Sequence, residues 1–213
     1  MGRNSWRLQR SILAAGVILA AAGAVGLLPA GSAQAAPEPS IVPISWELNL
    51  RHGPLERLIM TIDGKQRTFW YMRYTVINNS GRDVLFTPEF ELQTETGEVV
   101  QGFKDVPKGV FEKIKGMSNN EMLQSPTGVL GKLLQGEDNA KDGVIIFKAP
   151  ESDARIFQVF VSGLSGETAE VKNPLTGQTE ILQKTLVMEY NVPGQAIGIS
   201  PQPELRSTRW VMK

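Results

Sequence analysis

The chain has no cysteine among its 213 residues and a single histidine, His52. Without thiols there are no disulfides, thiolate nucleophiles, zinc ribbons or iron–sulfur clusters. With one imidazole, a metal site built on several histidines is excluded as well. Charge shows no bias, because 22 basic residues balance 22 acidic ones. No cluster of Lys and Arg supplies the density that neutralising a phosphate backbone demands, so nucleic acid is not an expected partner. Internal repeats and coiled-coil heptads are missing, and long apolar runs are confined to the start of the chain. Stability must come from buried apolar surface, without covalent staples.

That apolar start is the most legible segment. Arg3, Arg7 and Arg10 form a basic head, Ile12 to Leu28 carry no charge, and Ala33-Gln34-Ala35 fits the small-x-small rule for signal peptidase. Residues 1–35 therefore read as a signal peptide helix, cleaved after Ala35, which directs export to the periplasm or the extracellular space. An uncleaved anchor is the alternative, since the run of seventeen apolar positions is near the lower limit for crossing a bilayer. Cleavage would remove three arginines and no acid, leaving 178 residues with 19 basic against 22 acidic side chains. That length suits one domain with a real core. Membrane contact is expected only through the leader, if it is retained.

Period-two alternation opens the mature chain, with Ile44, Trp46, Leu48 and Leu50 interleaved with Ser45, Glu47, Asn49 and Arg51. A second run, Leu58, Met60 and Ile62, leads to Asp63-Gly64, which predicts a two-residue hairpin turn. The strand expected from about Arg67 to Ile77 places Trp70, Met72, Tyr74 and Val76 on one face and Phe69 and Tyr71 on the other, the pattern of a central strand covered at least partly on both sides. Asn78-Asn79-Ser80-Gly81 then breaks the strand; it is a formal glycosylation sequon that reads as a turn.

Further strands are expected at Val84–Thr87, Phe90–Thr94, Val129–Leu134, Val144–Lys148, Ile156–Ser162 and Ile181–Tyr190. Residues 104–128 change period and form a helical or loop insertion at one end, with Ser118 and Glu121 as a possible capping box. Eight or nine short strands with one minor helical insert predict an all-β fold, an immunoglobulin-like antiparallel β-sandwich over residues 36–192. Residues 193–213 read as an extended C-terminal arm, docked back by Trp210 and Met212.

Sites are weighed on this frame. The loop from Gly136 to Gly143 holds Glu137, Asp138 and Asp142, oxygen donors at a density that calcium could use. Ala140 and Ala149 break the EF-hand spacing from Asp138, so a hydrogen-bonded turn is the plainer account. Ser165, in Gly163-Leu164-Ser165-Gly166, lacks the second glycine of a nucleophile elbow, and His52 in its Gly-Pro turn reads as a surface residue. Glu89, Glu91, Glu95 and Glu98 could in principle pair as glycosidase acids but fit the solvated face of a strand. Phe69 and Tyr71 share a face and would stack on a sugar or a partner if exposed; a covering layer is the competing account. No catalytic residue and no cofactor is expected.

Three strings carry a resemblance: Phe69-Trp70-Tyr71-Met72-Arg73-Tyr74-Thr75-Val76-Ile77-Asn78-Asn79-Ser80-Gly81, Leu133-Leu134-Gln135-Gly136-Glu137-Asp138-Asn139-Ala140-Lys141-Asp142-Gly143, and Val161-Ser162-Gly163-Leu164-Ser165-Gly166-Glu167. With Lys184-Thr185-Leu186 and the closing Trp210-Val211-Met212-Lys213, the chain resembles a family of exported bacterial proteins with an immunoglobulin-like β-sandwich domain. The resemblance implies export and fold, and brings no activity or ligand with it. The expected role is a non-catalytic binding or structural module of the cell envelope whose partner is another envelope protein. A carbohydrate- or calcium-binding envelope protein is the alternative.

Overall fold

The computed structural model describes residues 37–173, 175–192 and 202–213. The expected signal peptide, at residues 1–35, lies outside the described residues, as does the part of the expected arm at 193–201. Among the described residues no helix is long and apolar enough to cross a membrane.

The smaller sheet is built around β3 (Lys65–Ile77). Its long run of aromatic and β-branched residues favours extended backbone. Asp63 and Gly64, at φ 52° and 75°, make the tight turn that folds β2 (Glu56–Ile62) back onto it. Positive φ at both positions is what a type I′ hairpin requires. β1 (Asn49–His52) continues along the same edge after the Gly53-Pro54 break, and β8 (Lys141–Lys148) pairs along the other edge.

The larger sheet has the same plan, enlarged. β11 (Thr179–Asn191) is its long strand, flanked on one edge by β9 (Ile156–Ser162) and β10 (Thr168–Lys172) and on the other by β12 (Glu204–Met212). β5 (Glu89–Thr94) and β6 (Val99–Gln101) extend it beyond β9. A short ribbon of β4 (Val84–Phe86) and β7 (Gly131–Leu133) adds Val84, Phe86 and Leu133 to the core.

All pairings are antiparallel, and side-chain parity assigns each face. Trp70, Met72, Tyr74 and Val76 of β3, with Ile145 and Phe147 of β8, meet Phe90, Leu92, Val159, Val161, Leu186 and Met188 of the larger sheet in one core. Trp70 and Phe157 pack edge to face at 5.5 Å. Tyr190, in the same core, donates its hydroxyl hydrogen bond to Met72 Sδ at 3.4 Å, and burial pushes its pKa up to about 12. The molecule is thus an antiparallel β-sandwich, as the alternation predicts. Among the described residues, the buried apolar side chains lie between Leu48 and Val192.

Three expectations about the insert and the arm need correction. Helix α1 (Lys108–Ser118) lies over the outer face of the smaller sheet, where Val110, Ile114 and Leu123 pack on Phe69, Tyr71, Leu58, Val144 and Ile146. The insert is therefore a third layer covering one sheet rather than a cap at the sandwich end. Ser118 closes this helix instead of opening one: its hydroxyl donates to Lys115 O at 2.8 Å and accepts from Asn120 N at 3.2 Å. Residues 204–212 do not form an arm laid on the body but a full strand, paired with β11 from Asn191↔Glu204 to Lys184↔Met212.

Candidate functional site

Phe69 and Tyr71 are not an exposed stacking face. They are 1% and 3% exposed beneath α1. The Tyr71 hydroxyl donates to Glu56 Oε2 at 3.0 Å, and Arg73 bonds the other oxygen of that carboxylate at 3.1 Å. Burial, then the bond to Glu56, pushes the Tyr71 pKa up to about 12. The rings are core, because the insert supplies the apolar surface that covers them.

The three loop acids are drawn apart. Glu137 pairs with Arg51 across to β1. Asp142 accepts from Thr75 Oγ1 at 2.6 Å and Asn120 Nδ2 at 2.8 Å, tying β8 to β3 and to the segment after α1. Asp138 stays exposed in a single turn of 3-10 helix. Among the described residues no group of three or more His, Asp or Glu side chains converges on a metal position. Calcium would need these carboxylates around one point, whereas Glu137 and Asp142 tie separate elements and Asp138 is exposed.

The other sequence candidates are also engaged in local ties. His52 donates through Nδ1 to the Gly53 carbonyl at 2.9 Å, and the Ser165 hydroxyl accepts from Glu167 N at 3.1 Å. Glu95 accepts from the backbone of Arg155 at 2.6 Å and Ile156 at 2.8 Å. Glu98 accepts from the backbone of Glu151 at 2.8 Å and Ser152 at 3.0 Å. Those backbone donors hold the Glu98 pKa below the usual range; for Glu95 they outweigh the upward push of burial. Both acids staple the β5–β6 turn to the approach to β9. Asn78, fully buried, donates through Nδ2 to Arg82 O at 2.8 Å and Leu133 O at 2.9 Å and accepts from Ser80 N at 3.1 Å. The sequon is a locked turn.

What remains is the outer face of the larger sheet, on which α1 does not lie. Register sets Gln101, Glu91, Phe160, Val187 and Arg209 side by side across β6, β5, β9, β11 and β12. The adjoining row is Val99, Gln93, Gln158, Glu189 and Ser207. Glu91 is the hub: it accepts from Gln101 Nε2 at 2.9 Å, from Gln93, and from the ammonium of Lys213. These partners outweigh the upward push of burial and hold its pKa below the usual range. The Lys213 ammonium also sits 4.5 Å from the centroid of the Phe160 ring, a cation–π contact. A depression of about 210 Å³ opens beside these groups, lined further by Glu89, Gln183 and Thr185. The face offers carboxamides, a fixed carboxylate, an ammonium and one half-exposed ring. That chemistry suits recognition of a polar surface and contains no nucleophile–base pair.

The chemically densest cluster lies elsewhere and is buried. Lys184, 1% exposed, stands between Glu47 at 2.9 Å and Glu167 at 3.2 Å, donates to Ser40 O at 2.8 Å and lies 5.2 Å from the Trp210 ring centroid. Glu167 also accepts from Ser40 N at 2.7 Å; this backbone bond first, and then Lys184, keep its pKa low. Burial pulls the Lys184 pKa down, but the two carboxylates more than offset it, so the net shift is upward. The triad fastens the chain around residues 40–47 to β11. Pattern reading missed it, since residues 47, 167 and 184 share no spacing signal.

No family model, curated protein or solved structure matches this chain.

Proposed function

We propose that this protein is an exported, non-catalytic β-sandwich of immunoglobulin type that acts as a binding or structural module in the bacterial cell envelope, periplasmic or extracellular. Its partner is another envelope protein, engaged through the outer face of the larger sheet. The observation that carries this reading is the contrast between the two outer faces: the smaller sheet's is sealed by α1, while the larger sheet's sets Gln101, Glu91, Phe160 and Arg209, all at least partly exposed, in one cross-strand row with Val187 buried among them. Interfaces of this kind combine a ring and long polar side chains with a hydrated rim. Of the four acids that could have served hydrolysis, Glu95 and Glu98 are occupied as loop staples and Glu91 is engaged by Lys213, Gln93 and Gln101, which favours binding over catalysis.

A second reading, carbohydrate binding, is favoured by the Phe160 ring set among Glu91, Gln101 and Gln183, the platform and hydrogen-bonding groups that a sugar uses. A sugar would have to displace Lys213 from the ring. Capture from an envelope fraction with the processed protein, beside the Gln101→Arg/Gln183→Arg variant, tests the first reading. It expects one stoichiometric protein held by the wild type and lost by the variant. Equal capture by both, or no capture together with saturable thermal stabilisation by envelope glycans, would overturn it.

A further inference from the structure

The segment that the buried triad fastens carries an exposed apolar surface. Ile41, Val42 and Ile44 are 100%, 73% and 74% exposed, three aliphatic side chains within four residues. This exposure is not that of a loose tail. Ser40 is held at both its N–H and its carbonyl by Glu167 and Lys184. Downstream, Gly166 N donates to Trp46 O at 3.0 Å and Leu48 N to Leu164 O at 2.8 Å. A Cβ on Gly166 would stand 2.2 Å from Trp46 Nε1, so the half-buried indole lies directly on that backbone. The chain is anchored on both sides of the aliphatic residues and displays them outward.

Beside them lies a depression of about 560 Å³, lined by Ile44, Trp46, Asn79, Ser80 and Arg82 and by Glu47, whose carboxylate is paired with Lys184. Aliphatic side chains, an indole and an arginine in one place form the combination that suits a membrane surface: hydrocarbon for the acyl boundary, indole for the headgroup level, guanidinium for phosphate. The charge-free apolar run ends at Leu28, thirteen residues before Ile41. If the leader is retained, that connection spans at most about 45 Å fully extended, which is within reach of the bilayer; in the processed chain the patch docks without it.

We infer that residues 41–46 dock the folded domain reversibly on a lipid bilayer. A protein partner is the weaker fit, because a stable protein interface buries about 800 Å² on each side and three aliphatic side chains fall well short of that. A bilayer demands no matching shape. This contact is separate from the outer face of the larger sheet and stands without it.

The test uses the processed chain, residues 36–213, which contains every core residue named above. Sedimentation with phosphatidylcholine vesicles, and with vesicles that also contain phosphatidylglycerol, compares the wild type with Ile41→Ser/Val42→Ser/Ile44→Ser. The replaced side chains are exposed, so both proteins should melt at the same temperature. The inference expects wild-type protein in the vesicle pellet and at least a fivefold smaller bound fraction for the variant. Wild-type protein that stays in the supernatant, or equal pelleting by both, would overturn it. So would self-association of the wild type without lipid that the variant loses, since the patch would then join copies of the chain.

Discussion

Replacing Lys184 by Met removes the cation that stands between two carboxylates in a largely dry site, and the cost follows from their surroundings. Lys184 and Glu167 side chains are 2% and 5% exposed, and Glu47 is 23% exposed. Breaking a buried ion pair by removing one partner costs about 3–5 kcal/mol, chiefly because the remaining charge is stranded. Partial solvation of Glu47 places this site toward the lower end, about 3–4 kcal/mol. For a domain of this size each kcal/mol lowers Tm by roughly 2–4 °C, so Lys184→Met is expected to melt about 6–16 °C below wild type. Calorimetry and urea titration at neutral pH measure the loss. The triple variant Lys184→Met/Glu47→Gln/Glu167→Gln should recover most of it, because amides need no counter-ion. The pH dependence has a definite sign. The Glu167 pKa is lowered from 4.5 in the fold, so its contribution is present above about pH 4.5 and is lost as pH falls through the folded value. The Lys184 pKa is raised from 10.5, so its contribution is complete below that value and is lost as pH rises through the folded one. The gap between wild type and Lys184→Met should be widest near neutrality and narrow in acid, where protonation relieves the stranded carboxylates. A loss below about 1 kcal/mol, or a gap that widens in acid, would refute the reasoning.

Three other perturbations probe separate parts of the structure. Asn78→Ala removes the Nδ2 donor to buried Leu133 O and one of the donors to Arg82 O, which keeps Ser80 and Gln135, and should cost about 2 kcal/mol by urea titration, which a turn exposed to solvent would not show. In Gly143→Ala the new Cβ would stand 2.4 Å from Tyr74 Cζ in the core, so displacement of the ring should lower stability by about 1–3 kcal/mol. Ile114→Ala should cost about 2–4 kcal/mol and raise hydrogen exchange at Phe69–Tyr71, because Ile114 is 1% exposed in the layer that seals those residues; unchanged exchange there would mean that α1 does not cover the smaller sheet.

How far the sequence disclosed this structure depended on the range of the forces involved. The Asp63-Gly64 turn and the two faces of β3 were legible because they follow from neighbours in the chain: positive φ at a two-residue turn, and parity along a strand. The Asn78-Asn79-Ser80 turn was legible for the same reason. What covers the second face of β3 was not legible, since α1 shows only where its residues fall in sequence and not which sheet they meet. β10 was missed because Thr168–Lys172 alternates weakly and is extended mainly by pairing with Thr179–Gln183. The final strand was read as an arm because the Gly- and Pro-rich stretch before it hid the long return to β11. The candidate face had no local signature either: Gln101, Glu91, Phe160, Val187 and Arg209 come from five strands and meet only through register. Phe69 and Tyr71, the aromatic pair most visible in the sequence, are buried for the reason that made them visible, a dense apolar run.

The claim that the larger sheet's outer face is the binding surface is tested most directly by hydrogen–deuterium exchange on the processed protein, alone and with the partner recovered from the envelope. Protection is expected in peptides covering Gln158–Ser162 and Gln183–Glu189, with α1 unchanged. Protection of Lys108–Ser118, with the β9 and β11 peptides exchanging as in the free protein, would contradict it.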